Sequence, residues 1–363
     1  MTHRVFNFGP GPATLPLSVL QRAQEEFLDF QGLGASIIEI SHRSPEFMAL
    51  LDETDALFRE LMELPDNYAI LYAHGGGQMQ FAMVPMNLMA LRPAHKGLYV
   101  ETGEFSKRAV AEAARYGTAE VIASSENTRF NRIPAIPAER LDGGASYLHI
   151  TTNNTICGTR WQQFPAADGM PLVGDATSEI LSRRIDMSQF GMLYAGAQKN
   201  LGPPGLAIVI IREDLLGHAL PVTPKLLDYS VMAKDHSLTN TANTFSIYIS
   251  KLVLEWLKTQ GGVARIEEFN ERKAALVYAA LDASGFYLPF AAKEDRSTMN
   301  VTFNLPTEAL EERFLEEAGR AGLYALKGHR ALGGIRASLY NAMSLEGCQA
   351  LVAFMQEFER RNG

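Results

Sequence analysis

The sequence contains few cysteines and no long apolar run. Its two cysteines among 363 residues, Cys157 and Cys348, are far apart and belong to no CxxC or Cys/His spacing, which excludes a disulfide framework and a zinc site and favours a reducing compartment. No apolar run approaches the ~20 residues of a membrane span. The N-terminus also lacks the apolar core of a signal peptide. We therefore expect a cytoplasmic protein without a membrane partner.

The sequence also lacks any dense run of lysine and arginine. Its formal net charge is -8 at pH 7. Nucleic acids and anionic membranes attract clustered positive charge, so this balance argues against both as partners. We expect small molecules as ligands.

What the chain does have is enough apolar sequence for a large core, since 47% of its residues are hydrophobic. Predicted strands and helices alternate as far as about residue 245, which indicates an α/β fold with a mostly parallel sheet. Long helical stretches then lead into a smaller α+β region. The predicted strands are 68–73, 98–101, 120–123, 147–151, 171–175, 192–195, 206–211, 298–304 and 334–340. The predicted helices begin near residues 17, 45, 78, 246, 263, 307 and 345.

The most informative residue is Lys199, which lies in a Gly/Pro-rich loop between the apolar runs 192–195 and 206–211. Burial lowers the pKa of an amine, and a neutral amine is a nucleophile for an aldehyde. A lysine in such a loop is a candidate for holding pyridoxal phosphate as a Schiff base. A surface lysine in a turn is the alternative.

Asp175 ends the short apolar run 171–175, at the edge where an open parallel sheet binds its ligands. An aspartate there can pair with the pyridine nitrogen of the cofactor and make its ring an electron sink. The alternative is an N-cap for a helix beginning at Thr177.

The segment His74-Gly75-Gly76-Gly77-Gln78 follows a predicted strand and opens a predicted helix. Its glycines would let backbone N–H groups approach a phosphate at the positive end of a helix. The segment lacks the spacing of a dinucleotide-binding motif and the ending of a P-loop. A tight turn with no ligand is the alternative.

Several cationic and small polar residues are further candidates. Arginine forks bind carboxylate and phosphate bidentately, and histidine adds a donor whose charge follows pH. The cationic candidates are His42, Arg43, His329, Arg330 and Arg336, with solvated surface as the alternative. Thr155 can bind a phenolic oxygen, and Phe105 can stack on a ring. Asn240 and Thr241 precede a predicted helix, and an N-cap cluster is the alternative for them.

Taken together, these segments resemble the class V aminotransferases within the fold type I pyridoxal-phosphate enzymes, in particular those that act on phosphoserine. The likeness runs almost from end to end. It is most specific in Ala195-Gly196-Ala197-Gln198-Lys199-Asn200 and in Lys327-Gly328-His329-Arg330 through Arg336 to Ala342. It also includes residues 6–8, 11–13, 39–43 and 74–77.

The resemblance implies a fold: a large pyridoxal-phosphate domain over residues 1–258, with a seven-stranded, mostly parallel sheet flanked by helices, and a smaller α+β domain over 259–363. The N-terminal segment 1–15 is expected to pack on the small domain. The resemblance also implies a homodimer with active sites at the interface.

The resemblance implies a role for each candidate residue as well. Lys199 would carry the cofactor, one per subunit, and move the proton, while Asp175 would hold the pyridinium nitrogen and Thr155 the phenolic oxygen. Arg336 would anchor the α-carboxylate. The phosphate of the cofactor would bind to Gly76, Gly77, Gln78 and Gln198, and to Asn240 and Thr241 of the second subunit. The distal anion of the substrate would bind to His42, Arg43, His329 and Arg330.

Two positions depart from the common pattern of this family. Gln78 stands where some members have arginine, which removes a positive charge near the phosphate. Phe105 stands at the ring-stacking position that is commonly tryptophan. We expect weaker stacking but retention of the cofactor.

The implied activity is reversible amino transfer between O-phospho-L-serine and 2-oxoglutarate, with 4-phosphohydroxy-L-threonine of pyridoxine biosynthesis as a related substrate. Another class V enzyme, such as a serine-glyoxylate aminotransferase or a cysteine desulfurase, is the first alternative. A nucleotide-binding oxidoreductase or kinase-like protein and a non-catalytic scaffold are remote alternatives.

Overall fold

The computed structural model of the protein describes residues 4–141, 143–167 and 169–363. Residues 1–3 of the segment predicted to pack on the small domain lie outside this range. The helices are α1 (Leu17–Glu25), α2 (Pro45–Met62), α3 (Gly76–Leu88), α4 (Glu104–Ala113), α5 (Tyr229–Lys234), α6 (Thr244–Thr259), α7 (Gly262–Ala283), α8 (Glu308–Arg320) and α9 (Leu345–Asn362). The strands are β1 (Phe6–Asn7), β2 (Tyr68–His74), β3 (Lys96–Glu101), β4 (Thr118–Ser124), β5 (Tyr147–Thr151), β6 (Asn153–Asn154), β7 (Thr159–Arg160), β8 (Leu172–Asp175), β9 (Met192–Gly196), β10 (Leu206–Arg212), β11 (Leu288–Pro289), β12 (Asn300–Asn304), β13 (Leu323–Tyr324) and β14 (Ile335–Ser338).

A seven-stranded sheet in the order β2-β10-β9-β8-β5-β3-β4 forms the centre of the fold. Its strands are parallel except β10, which pairs antiparallel with both of its neighbours. Every residue of β5, β8 and β9 is buried, as expected for parallel strands covered by helices on both faces. The prediction of an α/β fold with a mostly parallel seven-stranded sheet is confirmed.

Two hydrophobic clusters flank this sheet. One cluster contains Leu172, Leu193 and Ile208 together with side chains of α2 and α6. The other contains Val173, Tyr194 and Val209 together with side chains of α3. The alternation of neighbouring residues between the two clusters follows from the two-residue period of a strand.

A third hydrophobic cluster lies in the C-terminal part of the chain, around the three-stranded sheet β11-β12-β14. It contains Phe303 and Phe358 and also Phe8 from the N-terminus. β1 pairs in parallel with β13, so the N-terminal segment lies against this part of the chain. The division at residue 258 stays a prediction.

Local sequence signals account for several element ends. Ser44 caps α2 by accepting a hydrogen bond from the backbone N–H of Phe47, Pro45 occupies its first turn, and Glu63 ends it in the left-handed conformation. The strand predicted over 334–340 ends earlier, at Ser338. The carbonyl oxygens of Leu339 and Tyr340 accept hydrogen bonds from Lys273 instead, at 2.8 Å each.

Candidate active site

The carboxyl ends of neighbouring strands bring Asp175 and Lys199 together. Asp175 is the last residue of β8 and pairs in register with Thr151 on β5 and Tyr194 on β9. β9 ends at Gly196, and Lys199 follows in the turn before β10. Parallel strands that point the same way place their loops at one edge, which is where such sheets bind ligands.

A cavity of about 220 Å³ opens at this edge. It contains nine of the residues that the sequence singled out, and six others do not line it. The nine are Gly77, Gln78, Phe105, Thr155, Asp175, Gln198, Lys199, His329 and Arg336, and the six outside it are His42, Arg43, Gly76, Asn240, Thr241 and Arg330.

Lys199 is buried, with 7% of its surface exposed. Its Nζ donates a hydrogen bond to Oγ1 of Thr155 at 2.5 Å and lies 5.7 Å from the ring centroid of Phe105. Burial lowers the pKa of the amine to about 7, although the negative charge of Asp175 opposes the shift. At neutral pH a substantial fraction of this amine is unprotonated and nucleophilic.

Asp175 is also buried, and burial raises the pKa of its carboxyl group. Hydrogen bonds from Thr177 and the charge of Lys199 act in the opposite direction. One carboxylate oxygen, Oδ1, accepts the backbone N–H of Thr177 at 3.0 Å. No α-helix begins at Thr177 in the described chain, so the alternative reading of Asp175 as a helix N-cap is wrong; the carboxylate closes a short turn.

The glycine-rich segment opens α3, as the sequence indicated. Gly75 has a φ of 87° and provides no capping side chain, and the first turn holds no acidic residue. A Cβ on Gly77 would lie 2.6 Å from Oγ1 of Thr177 and 3.3 Å from the backbone nitrogen of Gly196. The backbone of the first turn therefore approaches the strand ends closely, and its unpaired N–H groups suit an anion such as phosphate.

Three buried polar atoms around the cavity have no hydrogen-bond partner within the described part of the chain. They are Oγ1 of Thr151, Oε1 of Gln198 and Nε of Arg336. Buried polar groups are normally paired. Together with the open helix N-terminus, these atoms fit a polar ligand that carries a phosphate and a ring oxygen, as pyridoxal phosphate does.

Two basic side chains, Arg336 and His329, also line the cavity. Arg336 on β14 is 6% exposed, and burial lowers its pKa. The pKa of His329 is lowered, first by burial and then by the positive charge of Arg336, whereas Glu104 acts to raise it. Arg330 does not line the cavity, although its charge also acts on His329.

Four of the predicted site residues lie outside the cavity of their own chain: His42, Arg43, Asn240 and Thr241. Nη2 of Arg43 donates to the carbonyl oxygen of Leu238 at 3.1 Å, and Nε2 of His74 lies 3.1 Å from the carbonyl oxygen of Thr241. Nε2 of His42 is buried without a partner among the residues that the structure describes. Arg43, Asn240 and Thr241 are exposed.

Sequence reasoning missed several residues that line the cavity. Asn153, Thr177 and Ser178 supply polar atoms, and Pro10 and Gly11 come from the N-terminus. Thr151 and Asn153 belong with the predicted Thr155 to the polar run 151–155, which suits ligand binding and turn formation equally. Nothing in the sequence separates these turn-forming residues from ordinary turn chemistry.

A larger cavity, of about 430 Å³, lies between the end of α2 and the turn that joins α6 to α7. Its lining residues Lys258 and Arg184 are paired with Glu60 at 2.6 Å and Glu267 at 3.4 Å. The charged side chains of this second cavity are therefore already paired, and none of them is a candidate for holding an aldehyde. No cluster of metal-ligating side chains occurs in the ranges that the structure describes.

The two thiols do not suit a desulfurase nucleophile. Cys157 and Cys348 are both free and buried. Burial raises the pKa of Cys157 to about 12 and that of Cys348 to about 11. The thiolate is the reactive form of cysteine, so neither residue is activated.

Comparisons with known proteins agree with the geometry of this site. The sequence profile of aminotransferase class V matches residues 5–351. The chain is 50% identical to the phosphoserine aminotransferase of Bacillus cereus, over 99% of each chain. The solved phosphoserine aminotransferase of Bacillus circulans subsp. alkalophilus superimposes with a TM-score of 0.96 at 44% identity, covering 100% of both chains.

A second solved structure, the phosphoserine aminotransferase of Trichomonas vaginalis with bound pyridoxal phosphate, has a TM-score of 0.92 at 34% identity and covers 97% of this chain and 100% of its own. The profile match and these similarities run over nearly the whole length, and they overturn the alternatives of a nucleotide-binding protein and a scaffold. The chain belongs to the class V aminotransferases, which are pyridoxal-phosphate-dependent transaminases of fold type I.

Proposed function

We propose that this protein is a phosphoserine aminotransferase, which transfers the amino group reversibly between O-phospho-L-serine and 2-oxoglutarate and serves L-serine biosynthesis. The relatives that resemble it over their full length carry this name. The observation that supports the proposal best is the presence, in one cavity, of the amine of Lys199, the guanidinium group of Arg336 and the imidazole of His329. A substrate with an α-carboxylate and a second anion fits this pairing.

Lys199 supplies the reactive amine. Pyridoxal phosphate, when bound, supplies an aldehyde and a ring that withdraws electrons from the substrate. With a pKa of about 7, Lys199 is available as an unprotonated amine to hold the cofactor and, once released, to accept the proton from the α-carbon of the substrate and return it. Asp175 would stabilise positive charge on the ring nitrogen, and Thr155 would hold the phenolic oxygen.

The first turn of α3 would hold the phosphate of the cofactor. Gly76, Gly77 and Gln78 present backbone N–H groups there, and Gln198 adds its side-chain amide. Gln78 is uncharged, so the site depends on the helix N-terminus and neutral donors more than on positive charge. Phe105 lines the same cavity and would cover one face of the ring.

Arg336 binds the α-carboxylate of either amino-acid substrate through its planar fork. His329 and Arg330 receive the phosphate of phosphoserine or the distal carboxylate of glutamate. Because the pKa of His329 is lowered in the free protein, its charge adjusts to the anion that arrives. One pocket can thereby accept both substrates. 4-Phosphohydroxy-L-threonine would bind to the same three side chains.

A homodimer with active sites at the interface is part of the proposal. His42, Arg43, Asn240 and Thr241 do not line the cavity of their own chain, as expected if they complete the cavity of a partner. Leu28 and Ile38, which precede Arg43, are large apolar side chains that are 81% and 55% exposed. A dimer interface would bury them.

The cellular location is proposed from the sequence. Both cysteines are free, which suits a reducing compartment, and we expect the cytoplasm. No helix in the described ranges is long and apolar enough to span a membrane.

Titration of the protein-bound chromophore tests the substrate. Phosphoserine and glutamate should each convert the visible absorption band in a single half-reaction, whereas alanine and cysteine should not. Conversion by serine or alanine in preference to phosphoserine would favour a glyoxylate-type aminotransferase instead. Arg330→Gln should weaken binding of phosphoserine, which a glyoxylate-type enzyme would tolerate.

Hybrid dimers test the shared site. Lys199→Ala and Arg43→Ala chains, each weakly active alone, should regain activity when unfolded and refolded together. A hybrid would hold one site with Lys199 from one chain and Arg43 from the other. If the mixture is no more active than the sum of its parts, Arg43 acts in its own chain and the shared-site proposal fails.

A further inference from the structure

The loop at residues 328–334 carries two of the residues proposed to bind the distal anion of the substrate, His329 and Arg330. The backbone N–H of Gly328 donates to the carbonyl oxygen of Gly334 at 2.8 Å and closes the loop. Gly334 has a φ of 67°, a conformation that glycine adopts readily. A hydrogen bond within the loop cannot fix its position relative to the cavity, which His329 lines.

Glu311, on α8, contacts the end of this loop from outside it. Its Oε2 accepts a hydrogen bond from the backbone N–H of Gly334 at 3.1 Å. Its Oε1 accepts from Nδ2 of Asn304 at 2.9 Å and from the backbone N–H of Leu305 at 3.2 Å. Asn304 is the last residue of β12, so one carboxylate joins α8, the three-stranded sheet and the loop.

Gly334 is packed closely at the point where Glu311 binds it. A Cβ on Gly334 would lie 2.5 Å from Nδ2 of Asn304 and 2.7 Å from the carbonyl oxygen of Phe303. Gly334 is buried. A buried N–H group that loses its acceptor costs free energy, and the carboxylate of Glu311 therefore favours this one position for the end of the loop.

Arg336 is attached to the sheet by contacts that do not involve Glu311. Its backbone N–H donates to the carbonyl oxygen of Leu326 at 2.7 Å, and it pairs in register with Thr302 on β12. The guanidinium group proposed to bind the α-carboxylate and the loop proposed to bind the distal anion are thus positioned separately.

We propose that Glu311 is a positioning residue that sets the affinity for the distal anion of the substrate, because its carboxylate fixes Gly334 and thereby the loop that presents His329 and Arg330. The identity of that anion, a phosphate or a carboxylate, rests on the proposed function. The attachment of the loop to α8 rests on the contacts alone. Glu311 does not line the cavity and acts only through the loop.

Glu311→Gln separates the contact with the loop from the contacts with the sheet. A glutamine side chain has one acceptor oxygen and one NH₂ donor group. Its oxygen should face the two donors of Asn304 and Leu305, which leaves the NH₂ group facing the N–H of Gly334. The loop then loses its acceptor, while α8 stays attached to β12.

Hydrogen exchange of the full-length protein, followed by mass spectrometry, measures the attachment without reference to activity. We expect the amides of residues 328–336 to exchange about tenfold faster in Glu311→Gln than in the wild type, since a buried donor without a partner has a cost of this size. Exchange at the wild-type rate in Glu311→Gln would overturn the proposal.

Titration of the protein-bound chromophore with phosphoserine measures the effect on binding. In Glu311→Gln the concentration at half-saturation should rise by about five- to tenfold, because the loop is no longer fixed when the anion arrives. The limiting rate should change by less than about twofold, since Lys199 and Arg336 keep their places. An unchanged half-saturation, or a loss confined to the limiting rate, would overturn the proposal.

Glu312→Gln is the matched control. It removes the same charge from the neighbouring, exposed position of α8 and should behave as the wild type does in both measurements. If Glu312→Gln changes the half-saturation as much as Glu311→Gln does, the charge of the helix is the cause and the proposal is overturned.

If Glu311→Gln does not fold, Glu311→Asp decides. Its carboxylate is one methylene shorter and cannot keep the contacts on both sides, so wild-type exchange and half-saturation in this variant would overturn the proposal. If phosphoserine does not convert the wild-type chromophore, the proposed function is refuted. The exchange rates then still decide whether Glu311 fixes the loop.

Discussion

Asp175 and Lys199 lie in one cavity, and the charge of each shifts the pKa of the other. The carboxylate acts to raise the pKa of the amine, and the amine acts to lower the pKa of the carboxyl. Burial acts on each in the opposite direction and is the larger effect for both. The pair therefore keeps an unprotonated amine beside an acidic group at neutral pH.

Asp175→Asn keeps the shape of this side chain and removes its charge. We expect the pKa of Lys199 to fall further in the cofactor-free protein, since only burial and Arg336 then act on it, both lowering it. Transamination should slow by about two orders of magnitude or more, because a fixed charge that stabilises the reacting ring is lost. The pH dependence of Lys199 acetylation and single-turnover absorbance measure the two effects. Asp66→Asn, at an exposed position, is the control and should behave as the wild type does. An unchanged turnover in Asp175→Asn would contradict the role given to the carboxylate.

The stability of the cofactor-free protein should depend on pH through Lys199. The pKa of Lys199 is about 7 in the folded protein and about 10.4 in an unfolded chain. Between these values the unfolded state binds more protons, so the free energy of unfolding rises with pH. Lys199→Met should be more stable than the wild type at pH 7, by on the order of a few kcal/mol, and the difference should shrink towards pH 10.

Denaturant unfolding at a series of pH values checks this expectation. Lys225→Met, at an exposed lysine, should leave the profile of the wild type unchanged. A difference between Lys199→Met and the wild type that stays constant from pH 7 to pH 10 would show that the amine is not the cause.

Gly77→Ala should weaken the binding of the cofactor. The added Cβ would lie 2.6 Å from Oγ1 of Thr177 and 3.3 Å from the backbone of Gly196, so the first turn of α3 must move away from the strand ends. Equilibrium dialysis should show at least tenfold weaker binding of pyridoxal phosphate. Gly285→Ala adds the same methyl group where no atom lies within 4 Å and should bind as the wild type does. Equal affinity in the two variants would refute a close approach of phosphate to this turn.

Binding of phosphoserine should be accompanied by proton uptake at His329. Its pKa is lowered in the free protein, and a phosphate dianion beside it will raise that pKa again. Calorimetry near pH 7 in buffers of different ionisation enthalpy should show uptake of part of a proton per site. His329→Gln should abolish the uptake, and glutamate should cause less of it. Equal uptake by His329→Gln and the wild type would assign the proton to another group.

The fold was largely predictable because its signals are local. The buried strands β8 and β9 are short apolar runs, and α2 carries its own cap and proline. Element ends were less predictable where a distant side chain intervenes, as Lys273 does at Leu339 and Tyr340. The alternative of a helix cap at Asp175 is wrong because its carboxylate closes a turn at the sheet edge.

The sequence by itself determined the residues with unusual chemistry: a lysine in a glycine-rich loop, an aspartate at the end of a strand, and glycines that open a helix. These follow from residue type and spacing along the chain. Only the tertiary structure decided which of them meet. It brought Arg336 and His329 to the amine and left Arg43 and Thr241 outside, because the distance between two side chains depends on how strands from separate parts of the chain are ordered in the sheet. It also buried Lys199, and the low pKa of its amine arises from that burial, which no local pattern specifies.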